Sequence, residues 1–220
     1  MNKSWVPLSG VAFVLLVIIG GIIGGEPPSV EDPVQEIVDH YVDNKDEIMI
    51  GSLVAMIGVF FFLVFASYLR NVLRNVQRAG EHEGGLLPNV AFAGAIILAV
   101  GGAIDSMIYI ALAEAADDIE PSSVQALQAL WDNDWAPFVL GSGTFLLASG
   151  LSIVHHGSLP KWLGWIAIVL GVLAFTPVGF VAFIGGALWI LIASIVMAMR
   201  ARGDASGTSA APGSPATPGV

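Results

Sequence analysis

Long apolar runs separated by short charged segments dominate this chain. Residues 90–113 form one such run, and a helix of about 24 residues is long enough to cross the hydrocarbon core of a bilayer. Of the 220 residues, 55 % are hydrophobic and only 12 % are charged, whereas about a quarter of the residues of a soluble domain carry a charge. The charges collect between the apolar runs, which is typical of a polytopic helical membrane protein.

The apolar runs predict an all-α integral membrane protein, a bundle of six transmembrane helices with short amphipathic outer segments. The predicted spans cover about residues 6–25, 48–70, 90–113, 135–155, 162–176 and 180–199. The last two come from one nearly charge-free run, which is too long for a single crossing and is divided at the sequence TPVG. Residues 201–220 are rich in Gly, Ser, Ala and Pro and predict a disordered cytoplasmic tail.

Two interpretations of the first apolar segment stay open. A short basic head before an apolar core also describes a cleaved signal peptide. The full transmembrane length and the missing A-x-A cleavage pattern favour a retained span.

The cations indicate the orientation. With six spans, seven of the eight Lys and Arg residues fall on one side of the membrane, namely Lys3, Arg70, Arg74, Arg78, Lys161, Arg200 and Arg202. The positive-inside rule makes this side cytoplasmic, so both termini lie in the cytoplasm and the protein is expected in a bacterial plasma membrane. Arg70, Arg74 and Arg78 are spaced four residues apart, and we assign them to topology and contact with anionic lipid. Most carboxylates lie in two acidic segments, residues 26–47 and 114–134, on the outer side.

One segment resembles a known family. Residues 159–165 (LPKWLGW) are similar to a stretch with the pattern LP-(basic)-WLGW in a group of uncharacterised multi-pass bacterial membrane proteins, classed as domains of unknown function. The resemblance extends to residues 148–151, to the acidic segment before the fourth span and to residues 41–44, and covers roughly residues 5–200. It implies a membrane protein and no activity, cofactor or catalytic residue.

Asp105 is the strongest functional candidate, because an ionisable group inside a span usually faces a protein interior or a watery cavity. It shares a helix face with Tyr109, and on the next span Ser142, Ser149 and Ser152 form a polar stripe. We hypothesise that these two faces meet and form a ligand- or proton-binding site, with Asp105 bonded to serine hydroxyls or protonated. The alternative is a buried acid that only fixes helix packing.

Other chemistry finds little support. The chain has no cysteine, and adjacent histidines such as His155 and His156 point about 100° apart on a helix, so we predict no metal and no cofactor. The net charge of −10 argues against nucleic acid. We predict a non-enzymatic membrane module that contacts lipids and binds a partner protein, a lipid or a small ligand, or forms a homo-oligomer. The alternative is a proton- or cation-linked transporter centred on Asp105. A membrane enzyme ranks third, because no catalytic constellation is visible.

Overall fold

The computed structural model describes residues 3–79 and 85–208, and this part of the chain contains helices and no strand. A 3₁₀ helix, Lys3–Leu8, precedes eight α-helices within these ranges. Their bounds are α1 Ser9–Gly24, α2 Val34–Asp43, α3 Lys45–Ala79, α4 Leu86–Ala115, α5 Pro121–Asp132, α6 Trp135–His156, α7 Lys161–Ala174 and α8 Gly179–Thr208.

The all-α class predicted from the sequence is confirmed, but the count of six spans is not. Five segments of the described chain are long and apolar enough to cross a membrane, namely Trp5–Gly24, Lys45–Asn75, Leu86–Ala115, Pro121–His156 and Gly179–Gly203. The remaining apolar helix, α7, has only 14 residues, a length of about 21 Å. The residues predicted as the fifth span therefore form a helix that is shorter than the bilayer core is thick.

Two helices run beyond their predicted ends. α3 continues to Ala79, past the span predicted for residues 48–70. α8 continues to Thr208, so that residues 201–208, predicted to be disordered, are helical. No proline precedes Pro212 in this region, and the helix therefore meets no proline break where its apolar run ends. Residues 209–220 of the predicted tail lie outside the described residues.

Six helices form a closed ring. Along it α1 packs on α3, α3 on α4, α4 on α6, α6 on α7 and α7 on α8, and α8 returns to α1. The short helices α2 and α5 stand outside this ring and pack on each other and on α4. We call α2 and α5 the cap.

Glycines allow three of these helix pairs to approach closely. A Cβ atom on Gly20 of α1 would lie 2.6 Å from the carbonyl oxygen of Gly51 in α3. On α4, a Cβ atom at Gly94 would lie 2.5 Å from the backbone nitrogen of Phe145 in α6. A Cβ atom on Gly150 of α6 would likewise lie 2.6 Å from the carbonyl oxygen of Gly164, which belongs to α7. Backbone therefore packs on backbone at these crossings, as small residues permit in membrane helices.

The two ends of the bundle differ in charge. We call the end that carries the cap and the connections around it the acidic end, and the end near Arg70, Arg74, Lys161 and Arg200 the basic end. The main core fills the basic half of the ring around side chains such as Phe65, Leu69 and Leu163. A smaller core lies beneath the cap, where Ile37 and Tyr41 of α2 and Val124 of α5 pack on Leu112 of α4.

Candidate functional site

A cavity of about 690 Å³ lies between the ring helices in the acidic half of the bundle and is partly open to the outside. All the ring helices contribute to its wall, which is mostly apolar and includes Phe13, Val59, Phe62, Phe138, Phe183 and Ile184. Its volume falls within the range of about 300–1,000 Å³ that is usual for small-molecule sites. The main core continues on the basic side of the cavity and the cap lies beyond it on the acidic side.

The cavity carries four polar side chains, and two of them are carboxylates. Asp105 and Ser106 belong to α4, Asp134 directly precedes α6, and Ser142 lies within α6. The two carboxylates are close enough to repel each other through space. Among the residues that the structure describes, no lysine or arginine lines the cavity. The polar part of the wall therefore carries acidic groups and hydroxyls without a cation to balance them.

The packing of α4 on α6 brings the two acids together. The helices are antiparallel, with Gly94 against residues 141–145 and Gly101 against Pro137. One turn further along α4, Asp105 is therefore level with Asp134 at the beginning of α6. The sequence predicts that these helices pack together and that Asp105 lies well inside its span. The structure confirms the contact, but Asp105 lies level with the start of α6, because α4 extends past that level to reach the cap.

The short α7 leaves a step beside the cavity. Gly171 of α7 lies against Leu147 of α6, and the ring of Phe175 lies against Gly143. α7 thus ends at the depth of Gly143, which lies about 12 Å from the start of α6 in the direction of the basic end. Ala174 at the end of α7 and the first residues of α8 line the cavity at this step.

An aromatic layer limits the cavity toward the basic end. The ring centroids of Phe13 and Phe62 are 4.9 Å apart, those of Phe62 and Phe145 5.6 Å, and those of Phe145 and Trp189 5.9 Å. The layer connects α1, α3, α6 and α8. Because Phe62, Phe145 and Trp189 are almost fully buried, the bundle is closed at this depth.

A second group of aromatic side chains lies between the cavity and the cap. The rings of Tyr109 and Trp131 are stacked with their centroids 5.4 Å apart, and the Tyr109 hydroxyl donates to the carbonyl oxygen of Gly24 at 3.2 Å. The Asp105 carboxyl lies beside the Trp131 indole, whose buried Nε1 makes no hydrogen bond of normal geometry. Asp105 is thus in contact with both the cavity and the cap.

A buried hydrogen-bond network joins the two cap helices. The Tyr41 hydroxyl of α2 donates to Gln128 Oε1 of α5. Gln128 Nε2 in turn donates to the carbonyl oxygen of Pro28 at 2.8 Å and to Asp132 Oδ1 at 2.9 Å. Burial, together with the neighbouring Tyr109 and Asp132, raises the pKa of Tyr41 far above its ordinary value. The hydroxyl therefore remains a donor throughout the physiological range.

The structure brings only part of the predicted site together. Asp105 and Ser142 line the same cavity, but the Ser142 hydroxyl donates to the carbonyl oxygen of Phe138 at 2.6 Å and not to Asp105. A helical serine commonly bonds to its own preceding turn in this way, and the hypothesis that Asp105 is bonded to serine hydroxyls or protonated stays a prediction. Ser149 and Ser152 are fully buried nearer the basic end, away from the cavity lining, and Tyr109 belongs to the small core under the cap.

Sequence reasoning missed Asp134 and Ser106. Asp134 is the last carboxylate of the acidic segment, residues 114–134, and precedes the apolar run of α6, so that its local sequence predicts a position outside the bundle. The small residues of α4 and α6 contained the missing signal, since their antiparallel register places Asp134 opposite Asp105. Ser106 is next to Asp105 in the sequence but points in a different direction on an ideal helix.

The basic residues have separate environments. The Arg70 guanidinium donates from Nε and Nη2 to Asn89 Oδ1 at 3.0 and 2.8 Å and lies over the Phe92 ring. It therefore ties α3 to α4 at the basic end. Arg74 is half-buried, and the Arg78 side chain lies outside the described part. Among the described residues, no three His, Cys, Asp or Glu side chains are grouped so as to hold a metal ion.

Comparison with known proteins identifies a family but assigns no activity to it. No curated protein and no solved structure matches the chain. A family model described as a domain of unknown function, DUF4386, matches residues 8–203. This match agrees with the resemblance to an uncharacterised family seen in the sequence and covers most of the 220 residues. The chain therefore belongs to the DUF4386 family.

Proposed function

We propose that this chain is a six-span protein of the bacterial cell membrane that binds a small, largely apolar ligand in its interior cavity without transforming it. The observation that carries the proposal is the cavity of about 690 Å³ between the ring helices, which is partly open to the outside. Such a concave, mostly apolar space with few polar groups is the usual form of a small-molecule site.

The surface of the ring supports a lipid environment. Large apolar side chains stand exposed along it, among them Phe60, Val100, Met107 and Val169, and a soluble protein rarely exposes so continuous an apolar surface. Trp135 is exposed near the acidic end, and Trp162 and Trp165 near the basic end, where interfacial tryptophans are expected.

The place of α7 in the ring supports the proposal of six crossings. Although α7 is short, it lies between α6 and α8 and is antiparallel to both. A bilayer can thin locally around a short helix, and the residues of the α7–α8 turn can span the remaining thickness. With the basic end on the cytoplasmic side, both termini are cytoplasmic and the cap is outside.

Single-cysteine labelling tests this topology directly, because the natural chain has no cysteine. We expect an impermeant maleimide added outside intact cells to label Ser122→Cys in the cap and to leave Lys161→Cys and Gly203→Cys unlabelled. All three positions are exposed, so that accessibility reports the side of the membrane. Labelling of Gly203→Cys from outside would contradict six crossings, because a chain in which α7 does not cross has its C-terminus outside.

Cavity-filling substitutions test ligand binding. Ala99 lines the cavity and is almost fully buried, whereas Ala103, one turn along the same helix, faces outward. We expect a twelve-carbon amphiphile at sub-micellar concentration to raise the melting temperature of the wild type and of Ala103→Phe in maltoside micelles, because ligands that bind only the folded state stabilise it. Ala99→Phe should abolish the shift. An equal response of the two variants would refute binding in the cavity.

Transport linked to protons or cations is the second candidate function. The presence of a second acid, Asp134, beside Asp105 in the cavity favours it. Transport also needs a conformation in which the aromatic layer opens. Ser149 lies fully buried beyond that layer, so a Ser149→Cys variant should react with an outside reagent in a transporter and remain unreactive in a binding protein.

A further inference from the structure

We propose that the cavity binds an amphiphile with a cationic amine head, held between Asp105 and Asp134, and an apolar body among the phenylalanine side chains. This inference rests on the proposed function and adds the chemical class of the ligand. It follows from three properties of the cavity: its charge, its hydrogen-bonding groups and its shape.

The charge of the cavity calls for a cation. Asp105 and Asp134 line the same cavity and repel each other, and the described lining residues contain no lysine or arginine. Lys45 lies at the acidic end of the bundle, and its ammonium group is 3.5 Å from the carbonyl oxygen of Glu114. Neither Lys45 nor Glu114 lines the cavity. Two partly buried carboxylates are costly unless they share a proton or a counter-charge. An ammonium group between them supplies that charge, whereas a head group whose only charge is a carboxylate or a phosphate would increase the repulsion.

The polar atoms of the wall suit a hydrogen-bond donor. Ser106 is only 6 % exposed and lines the cavity. The Oδ2 atom of Asp134 is buried and forms no hydrogen bond with the described residues. Carboxylates accept hydrogen bonds and hydroxyls can accept them, while an ammonium group offers three donors and no acceptor. The head group therefore complements what the protein leaves unpaired.

The remainder of the wall suits an apolar body. Phe13, Phe62, Phe138 and Phe183 contribute rings around the space below the acids. The step left by the short α7 lies at the same depth, with the exposed apolar residues Phe175 and Phe180 at its edge. An apolar chain can reach the cavity from the surrounding lipid across this step while its head remains at the level of the two acids.

Three twelve-carbon probes that differ only in the head group test the inference: dodecylammonium, dodecanol and dodecanoate. Apparent affinities are taken from the rise in melting temperature of the purified full chain in maltoside micelles. We expect dodecylammonium to bind at least about tenfold more tightly than dodecanol, and dodecanoate to bind most weakly. Asp105→Asn and Asp134→Asn should each weaken dodecylammonium by about tenfold or more, since truncating one partner of a buried ionic contact is costly. Glu114→Gln is the control, because Glu114 is exposed at the same end but does not line the cavity.

The outcomes separate this inference from the proposed function. If no probe raises the melting temperature, the cavity is not a ligand site and both proposals are wrong. The same conclusion follows if a probe raises the melting temperatures of Ala99→Phe and Ala103→Phe equally. If the probes bind in a manner sensitive to Ala99→Phe but their heads rank equally, or if both asparagine variants bind dodecylammonium as the wild type does, only the amine head is wrong. The ranking of heads on the wild type decides the matter even if an asparagine variant does not fold.

The amine can come from a membrane lipid or from a free single-chain compound. Repeating the dodecylammonium titration in micelles supplemented with phosphatidylethanolamine or with phosphatidylcholine distinguishes the two sources. Weaker binding in the presence of phosphatidylethanolamine alone identifies an aminolipid as the occupant. Equal binding identifies a free amphiphilic amine.

Discussion

At the scale of single residues, neighbours decide what Asp105 can do. Its carboxyl lies beside a second acid in the cavity and beside the indole of Trp131. An isolated acid in a helix bundle is adequately explained as a packing device, since functional sites in membranes usually recruit more than one charged group. Because Asp134 lies beside Asp105, packing alone is a weaker explanation for the acid. A cationic ligand is the group that complements the two carboxylates.

Two adjacent glycines of α1 give a matched pair for helix packing. A Cβ atom on Gly20 would lie 2.6 Å from the carbonyl oxygen of Gly51, whereas one on Gly21 would meet no atom within 4 Å. Gly20→Ala should therefore force α1 away from α3 and destabilise the fold by about 1–3 kcal/mol. Gly21→Ala should be neutral or slightly stabilising, because alanine is the better helix former. Unfolding of both variants in mixed micelles measures the difference, and equal stabilities would show that the close approach is absent.

His40 in the cap gives a pH-dependent stability. Burial lowers its pKa below the ordinary value of 6.5, so the unfolded chain binds a proton at a higher pH than the folded chain does. The folded state therefore loses stability as the pH falls below about 6.5, until His40 itself becomes protonated in the fold. We expect His40→Gln to lose less stability than the wild type between pH 7.5 and 5.5.

The carboxylates also titrate on acidification, so the informative quantity is the difference between His40→Gln and the wild type at each pH. The exposed His155 provides the control, and His155→Gln should follow the wild-type curve. Parallel curves for His40→Gln and the wild type would show that His40 is not the responsible group.

At the scale of elements, a buried hydrogen bond joins the two cap helices directly. Tyr41 and Gln128 are both fully buried, and the tyrosine hydroxyl donates to the amide oxygen. Tyr41→Phe should destabilise the fold by about 1–3 kcal/mol because it leaves the Gln128 oxygen buried without a donor. Tyr68→Phe, at a half-buried position in α3, is the control and should change stability little. In a double-mutant cycle, Gln128→Leu should recover part of the loss, and strict additivity would show that the two side chains do not interact.

At the scale of the whole molecule, the two halves of the ring differ in packing. The basic half contains the main core, whereas the acidic half contains the partly open cavity. Backbone amides open more readily where few side chains pack around them. Within α6 we therefore expect amides 139–142, beside the cavity, to exchange hydrogen for deuterium faster than amides 149–152, which lie in the core. Mass spectrometry of the protein in nanodiscs measures this, and equal protection along α6 would contradict the difference.

The sequence by itself determined the class of this protein, its apolar helices and the separation of charge between its ends. These properties follow from local composition, because a long run without charges can satisfy its backbone in lipid only as a helix. The expected contact between the third and fourth predicted spans is also confirmed, because α4 packs on α6. The position of Asp105 as the notable acid was likewise readable, because a carboxylate in an apolar run is rare.

Only the tertiary structure decided where the helices end in space and which polar groups meet. α7 stops level with Gly143, and no local signal gives that depth because it depends on the register of α7 against α6. Asp134 joins Asp105 because α4 and α6 are antiparallel and in close contact, while Ser149 and Ser152 are drawn into the core along the same helix. Local composition decides which stretches become helices. A site is formed by residues that are distant in the chain, and the close packing of helix backbones sets the distances between them.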